Sequence, residues 1–167
     1  MKIKRAHILG LGETVLNFLK IDNSDIVIGV NDICRYIPEN LIDYLIVLDP
    51  YKEKTQTIIK GYNDKRTDVF SIIKQTKPKI AFLSQLNCWE NCYNFRKIEL
   101  IDYPDIPCNI SKLDSNGYLW SHNSPFIGVI HAYKLGCKEI ILWGVDFINH
   151  HLNFIQCKNT PRFEGFC

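Results

Sequence analysis

The sequence predicts one α/β domain with a mostly parallel sheet and helices on both faces. Short, continuous apolar runs recur along the chain, and strands buried on both faces read this way rather than as alternations. The first and last of these runs end on glycine loops, Gly10-Leu11-Gly12-Glu13-Thr14 and Gly144-Val145-Asp146. Such junctions collect at the carboxyl edge of an open sheet, where ligands bind. A chain of 167 residues, 46% of them hydrophobic, buries one core of ordinary domain size and hardly two.

Ile3 to Leu9 reads as a buried first strand entering a tight turn at Gly10. Thr14 is placed to cap a short helix with Val15, Leu16, Phe18 and Leu19 facing inward. Asp25 to Val30 is a second strand ending at Asn31-Asp32, and Tyr44 to Leu48 a third, stopped by Asp49-Pro50. In the middle, Lys52 to Tyr62 reads as helix, Lys79 to Leu83 as a strand after Pro78, and Trp89 to Phe95 as a short helix. Tyr103 to Pro107, with two prolines in five residues, reads as a loop. Near the end, Ser124 as N-cap and Pro125 as first helical residue open a helix over Phe126 to Leu135, which Gly136 closes. Glu139 to Trp143 follows as a buried strand. There is no internal repeat, low-complexity tract or linker to split the chain.

A net charge of +2 with scattered lysines argues against a nucleic-acid groove, while leaving room for one anionic ligand. The first residues lack the apolar core and cleavage site of a signal peptide, and no run reaches the length of a membrane span, so the expected location is cytoplasmic. Seven cysteines in such a chain are expected to be reduced thiols, several of them small core residues. Cys88 and Cys92 have the spacing of helical neighbours, and no second pair with zinc-finger spacing follows. No structural zinc is expected.

The candidate chemistry gathers at strand ends. The loop from Gly10 to Thr14 follows a strand and opens a helix, where free amides and the helix dipole favour an anion such as phosphate. The same loop also fits a plain strand-to-helix turn. The third glycine of a dinucleotide fingerprint is replaced by Val15, and no Walker-type sequence is present. Asn31 and Asp32 leave the second strand at the same edge, suited to a ribose hydroxyl or a base edge, or to an Asx turn. Asp49 is open to the same two readings. Asn123 and Ser124 precede a helix, where they can clasp a ligand or cap the helix; Asn31 and Ser124 are expected on one edge of the sheet. Gly144 allows close approach of a ligand, and Asp146 adds a carboxylate. His150 and His151 are the titratable groups near neutral pH closest to this edge, and so the candidates for a general base. His131, between Ile130 and Ala132, is expected to pack or face solvent rather than react.

With these residues in view, the chain resembles a known group. The GLG loop, the strand ending in Asn31, the Asp-Pro turn and the run from Ser124 to Phe147, SPFIGVIHAYKLGCKEIILWGVDF, resemble the bacterial sialyltransferases of glycosyltransferase family forty-two. They are similar also to the related motility-accessory and 6-hydroxymethylpterin diphosphokinase-like domains. The resemblance implies a Rossmann-like fold, CMP-sialic acid as ligand and sugar transfer without a metal. By position it implies that Gly10, Gly12 and Glu13 flank the nucleotide phosphate, that Asn31 reaches the nucleotide, and that Asn123 and Ser124 lie beside it. Pro125 stands where the family has glycine, and Asn123 where it has a hydroxyl residue. The family's catalytic histidine and phosphate-contacting tyrosines lie well after the G-V-D-F motif; here that stretch holds Arg162, no tyrosine, and His150 and His151 at its start.

The expectation is therefore a minimal sialyltransferase-like glycosyltransferase, binding a nucleotide or CMP-type nucleotide-sugar at Gly10, Gly12, Glu13, Thr14, Asn31, Asp32, Asn123, Ser124, Gly144, Asp146 and Arg162. His150 or His151 would be the base, and Arg162 would steady the departing phosphate. One alternative is a non-catalytic nucleotide-binding or sequestering module. Another is an NAD-type protein with Asp32 on the ribose, against which Val15 counts.

Overall fold

A computed structural model describes residues 4–53, 56–58, 66–101, 117–119, 121 and 123–145. In chain order these form β1 (Arg5–Leu9), β2 (Ile26–Val30), β3 (Tyr44–Ile46), β4 (Gln56–Ile58), β5 (Arg66–Asp68), α1 (Val69–Gln75), β6 (Ala81–Ser84), β7 (Phe95–Lys97), β8 (Glu99–Ile101), β9 (Gly117–Leu119), α2 (Ser124–Lys134) and β10 (Glu139–Trp143). Six strands make one sheet in the order β10-β1-β2-β3-β6-β7, and every neighbouring pair is parallel. The architecture is α/β, as expected. Two small sheets accompany it, β4 with β5 and β8 with β9. Among the described residues no helix is long and apolar enough to cross a membrane.

Register explains the core. Ile8 stands beside Ile28, and Ile28 beside Tyr44, so one face carries a row that α2 covers. Gly128 of α2 lies on this row, where an added Cβ would sit 3.1 Å from Ile8 and 3.5 Å from Ile28. On the other face Gly29 leaves room for Ile33 and Ile42. Those two residues belong to connections built from the single-turn 3-10 helices Ile33–Arg35 and Glu39–Leu41, so both faces are covered, but one largely by short turns.

Several local expectations change. The helix after β1 is a 3-10 helix over Glu13–Asn17 with Gly12 at its N-cap and no side-chain cap. At three residues per turn and five residues in all it presents no amphipathic face. Val15 is buried, whereas Leu16 and Leu19 are 56% and 74% exposed. Within Lys52 to Tyr62, Gln56–Ile58 is strand rather than helix, because it finds an antiparallel partner in β5. Trp89 ends a 3-10 turn over Asn87–Trp89, and Asn94, at φ 53°, turns the chain into β7 rather than extending a helix to Phe95. The cap of α2 is Asn123, whose side-chain oxygen accepts from the Phe126 amide at 3.1 Å, so Ser124 is the first helical residue and buried. Gly136, at φ 77°, closes the helix. β10 forms an edge of the sheet as described and is half-exposed, with Leu142 at 48%, rather than buried. The expected loop over Tyr103 to Pro107 lies outside the described residues.

Candidate functional site

Connection order locates the site. The chain adds β2, β3, β6 and β7 on one side of β1 and then returns to place β10 on the other. The order therefore reverses between β1 and β10, and the carboxyl ends of those two strands flank the switch point where open α/β sheets take their ligands.

Side chains lock β10 in this place. At the amino end, Arg5 pairs with Glu139, its Nε donating at 2.8 Å. At the carboxyl end, the Trp143 indole N–H donates to His7 Nδ1 at 3.0 Å. An Nδ1 that accepts leaves the ring hydrogen on Nε2, which faces Asp25 Oδ2 at 3.1 Å. Burial alone would raise the Asp25 carboxyl, but the bonds from His7 and the Asp22 amide, with Arg5 nearby, hold it below its ordinary value. The imidazole is fully buried with Phe18 edge-on and Trp143 stacked, so His7 is an internal strut without access to a ligand.

The two glycine loops meet at the switch point. The Gly10 amide donates to the Trp143 carbonyl at 2.8 Å, and the Gly12 amide to the Gly144 carbonyl at 2.7 Å. Gly144 returns a bond from its own amide to the Thr14 hydroxyl at 2.9 Å. An added Cβ on Gly10 would fall on the Gly144 carbonyl. One on Gly144, at φ 63°, would sit 2.8 Å from the carbonyls of Gly10 and Gly12 and from Val15. The close approach these glycines permit is thus between two segments of the protein itself. Thr14, expected as a helix cap, instead fastens Gly144, and Glu13 is exposed in the first turn of its helix.

Asn31 and Asp32 leave β2 at the same edge. Asn31 takes the left-handed conformation at φ 52°, and its amide continues the ladder to Ile46 at 2.9 Å. Its side chain is folded inward, 7% exposed, and the buried carboxamide oxygen has no hydrogen-bond partner among the described residues. Asp32 is wholly buried and pairs with the equally enclosed guanidinium of Arg35 one turn on. The spacing of Asp32 and Arg35 signals this pair, which the reading of Asp32 as a ribose ligand passed over. Asp49 accepts the Trp89 indole N–H on its backbone carbonyl at 3.1 Å.

The start of α2 lies on this edge as well. Lys4, just before β1, reaches the carbonyl of Leu135 and accepts the Lys138 amide, so the helix ends at the amino edge. Gly128 sits over Ile8 near the other end of β1. Ser124, one turn earlier, is therefore at the carboxyl edge with Asn31, as expected. Pro125 has no amide hydrogen and the amides of Phe126 and Ile127 are bonded to Asn123, which leaves the Ser124 amide and the helix dipole to supply partial positive charge there. Asp146, His150, His151 and Arg162 lie outside the described residues.

Elsewhere the chemistry is quiet. Burial pushes the Cys34 thiol up to about 11 and raises Cys88, Cys92 and Cys137, so these four remain thiols at neutral pH. Among the described residues no group of three or more His, Cys, Asp or Glu side chains gathers to hold a metal. Comparison with family models, with curated proteins and with solved structures finds no match to the chain.

Proposed function

We propose that the carboxyl edge of the sheet binds a nucleotide-type small molecule, between Asn31 on one side and the start of α2, at Asn123 and Ser124, on the other. One observation carries this reading: a carboxamide oxygen buried without a donor among the described residues, at the carboxyl edge of the sheet. A buried polar atom left without its hydrogen bond costs about 1–3 kcal/mol. A ligand amine, amide or hydroxyl would supply the missing donor, and the Ser124 amide and hydroxyl at the start of α2 would take an anionic group.

The finer reading is a sialyltransferase-like glycosyltransferase using a CMP-type nucleotide-sugar in a reducing, cytoplasmic setting. It rests on the sequence resemblance, with His150 or His151 as base and Asp146 and Arg162 near the departing phosphate. A binding module without transfer is the second reading. It is favoured by the engagement of the Gly10 and Gly12 amides with β10 and Gly144, which leaves a phosphate only the Ser124 amide and hydroxyl at the start of α2. The ion pair of Asp32 with Arg35 weighs against an NAD-type ribose contact.

A thermal-shift panel of CMP, CMP-sugars, UDP-sugars, ATP and NAD tests the proposal, because a ligand that prefers the native state raises its melting temperature. A cytidine ligand is expected to raise it and Asn31→Gly to abolish the rise. No shift with any nucleotide would end the reading. Consumption of a CMP-sugar, lost in His150→Asn/His151→Asn with binding retained, would separate the transferase from the module.

A further inference from the structure

Far from that edge, α2 carries a second buried polar group that the proposed function does not use. His131 is 8% exposed, lying between Tyr44 of β3, edge-on with ring centroids 4.5 Å apart, and Tyr118 of β9, stacked at 6.0 Å. Its Nδ1 is 2.7 Å from the Tyr118 hydroxyl, and its Nε2 is buried with no partner among the described residues. Among the described residues, the charged groups whose fields reach the ring are both cations: Lys134 on α2 and Arg96 on β7. Asp43, next to Tyr44, is engaged with the Val27 amide at 2.8 Å and Lys79 at 3.6 Å.

We infer that the Tyr118–His131 contact is a proton-operated latch, holding β9 on α2 while the imidazole is neutral and releasing it when the ring is charged. With a neutral ring the Tyr118 hydroxyl donates to Nδ1; burial, with Tyr44 nearby, pushes that phenol up to about 12, so the donor is always present. A proton arriving at Nδ1 reverses the bond and leaves the phenol hydrogen without an acceptor. It also places a cation between Lys134 and Arg96 with no carboxylate among the described residues to balance it. Burial, then those two cations, lower the histidine to about 4 while the latch is closed.

The weaker partner is β9. α2 is anchored by Ile127, Gly128 and Ala132 over β1 and β2. β9 is three residues long and pairs with β8 in a two-stranded sheet, the sort of unit that opens locally before the core does. Lys134 adds a bond to the Gly117 carbonyl and stands 4.3 Å over the Tyr118 ring.

Hydrogen exchange on the whole chain at pH 7 and pH 4.5, each corrected for intrinsic exchange chemistry, tests this. The β8–β9 amides are expected to lose protection about tenfold or more at pH 4.5, from the gap between about 4 in the closed state and 6.5 in the open one. Amides of β1 and β2 should lose much less. His131→Asn, which keeps an acceptor without a titrating ring, is expected to abolish the difference between the two pH values. Tyr118→Phe, which spares the histidine in case the first variant fails to fold, is expected to lower β9 protection already at pH 7. Equal protection of β9 at both pH values, an acid loss unchanged in His131→Asn, or an equal loss in β1 and β2 would each overturn the latch.

Discussion

The Gly12 amide donates to the Gly144 carbonyl at 2.7 Å, and the Gly144 amide donates onward to Thr14, so the loops after the first and last strands of the sheet form one knot. An anion-binding loop keeps its amides pointed at a ligand. Here the amides of Gly10 and Gly12 point at β10 and at the loop that follows it. The glycine pattern that reads as a phosphate loop is accounted for by backbone meeting backbone, which moves the candidate ligand toward Asn31 and the start of α2.

Gly144→Ala is expected to destabilise the protein by about 3 kcal/mol, combining a left-handed backbone with contacts no methyl can relieve. Gly136→Ala is the control: its φ is also positive, at 77°, yet nothing lies within 4 Å of an added Cβ. It should cost about 1–2 kcal/mol. Urea unfolding of both variants checks this, and equal losses would show that the knot is not under steric constraint.

At Asn31, stability and ligand binding are expected to part. Asn31→Gly removes a buried unpartnered oxygen and relieves the positive φ, so the free protein should be unchanged or firmer by up to about 1 kcal/mol. Nucleotide affinity should fall at least tenfold. A variant that is both weaker in folding and unchanged in binding would show that the side chain serves the fold.

The pair formed by Asp32 and Arg35 is expected to behave as a buried unit. Asp32→Asn or Arg35→Met alone leaves one charge enclosed, at a cost of about 3–5 kcal/mol. Asp32→Leu with Arg35→Met should recover most of that, as enclosed ion pairs replaced by apolar residues often do. Denaturant midpoints of the singles and the double decide it; a double variant as weak as the sum of the singles would show that the charges are needed for other contacts.

The parts of this fold that were legible are those where local pattern and burial agree. Ala6 to Leu9, Val27 to Val30 and Tyr44 to Ile46 are unbroken runs because both faces of the sheet are covered. α2 was legible because Asn123, Pro125 and Gly136 mark its ends. The 3-10 turns at Glu13 and Asn87 were not, since a single turn has no period to read. β4 depends on pairing with β5, which local propensity does not carry. At the site, the position of Asn31 at a strand end was readable. The pair of Asp32 with Arg35, three residues apart, was within reach of the local pattern, whereas the loss of the glycine amides to Gly144 was not, because that contact spans the length of the chain.

Acid should weaken the fold in two steps of known sign. His131 is depressed when folded, from 6.5 to about 4, so its neutral form favours the native state above pH 6.5 and that advantage is lost as pH falls toward 4. The loss is bounded by the free energy that holds β9 on α2, since a ring released by the latch returns to its ordinary value, and so falls short of the roughly 3 kcal/mol that 1.4 kcal/mol per unit would give a ring that stays enclosed. Asp25 is also lowered, from 3.8, so its contribution is intact above that value and lost below it. Urea unfolding at pH 7, 5, 4 and 3 should show both arms in the parent protein, and His131→Asn should flatten the first while leaving the second. If His131→Asn loses stability between pH 6.5 and 4 as steeply as the parent, another group carries that proton. If Asp25→Asn retains the full decline below pH 3.8, the strut joining Arg5, Asp25, His7 and Trp143 is not what acid breaks.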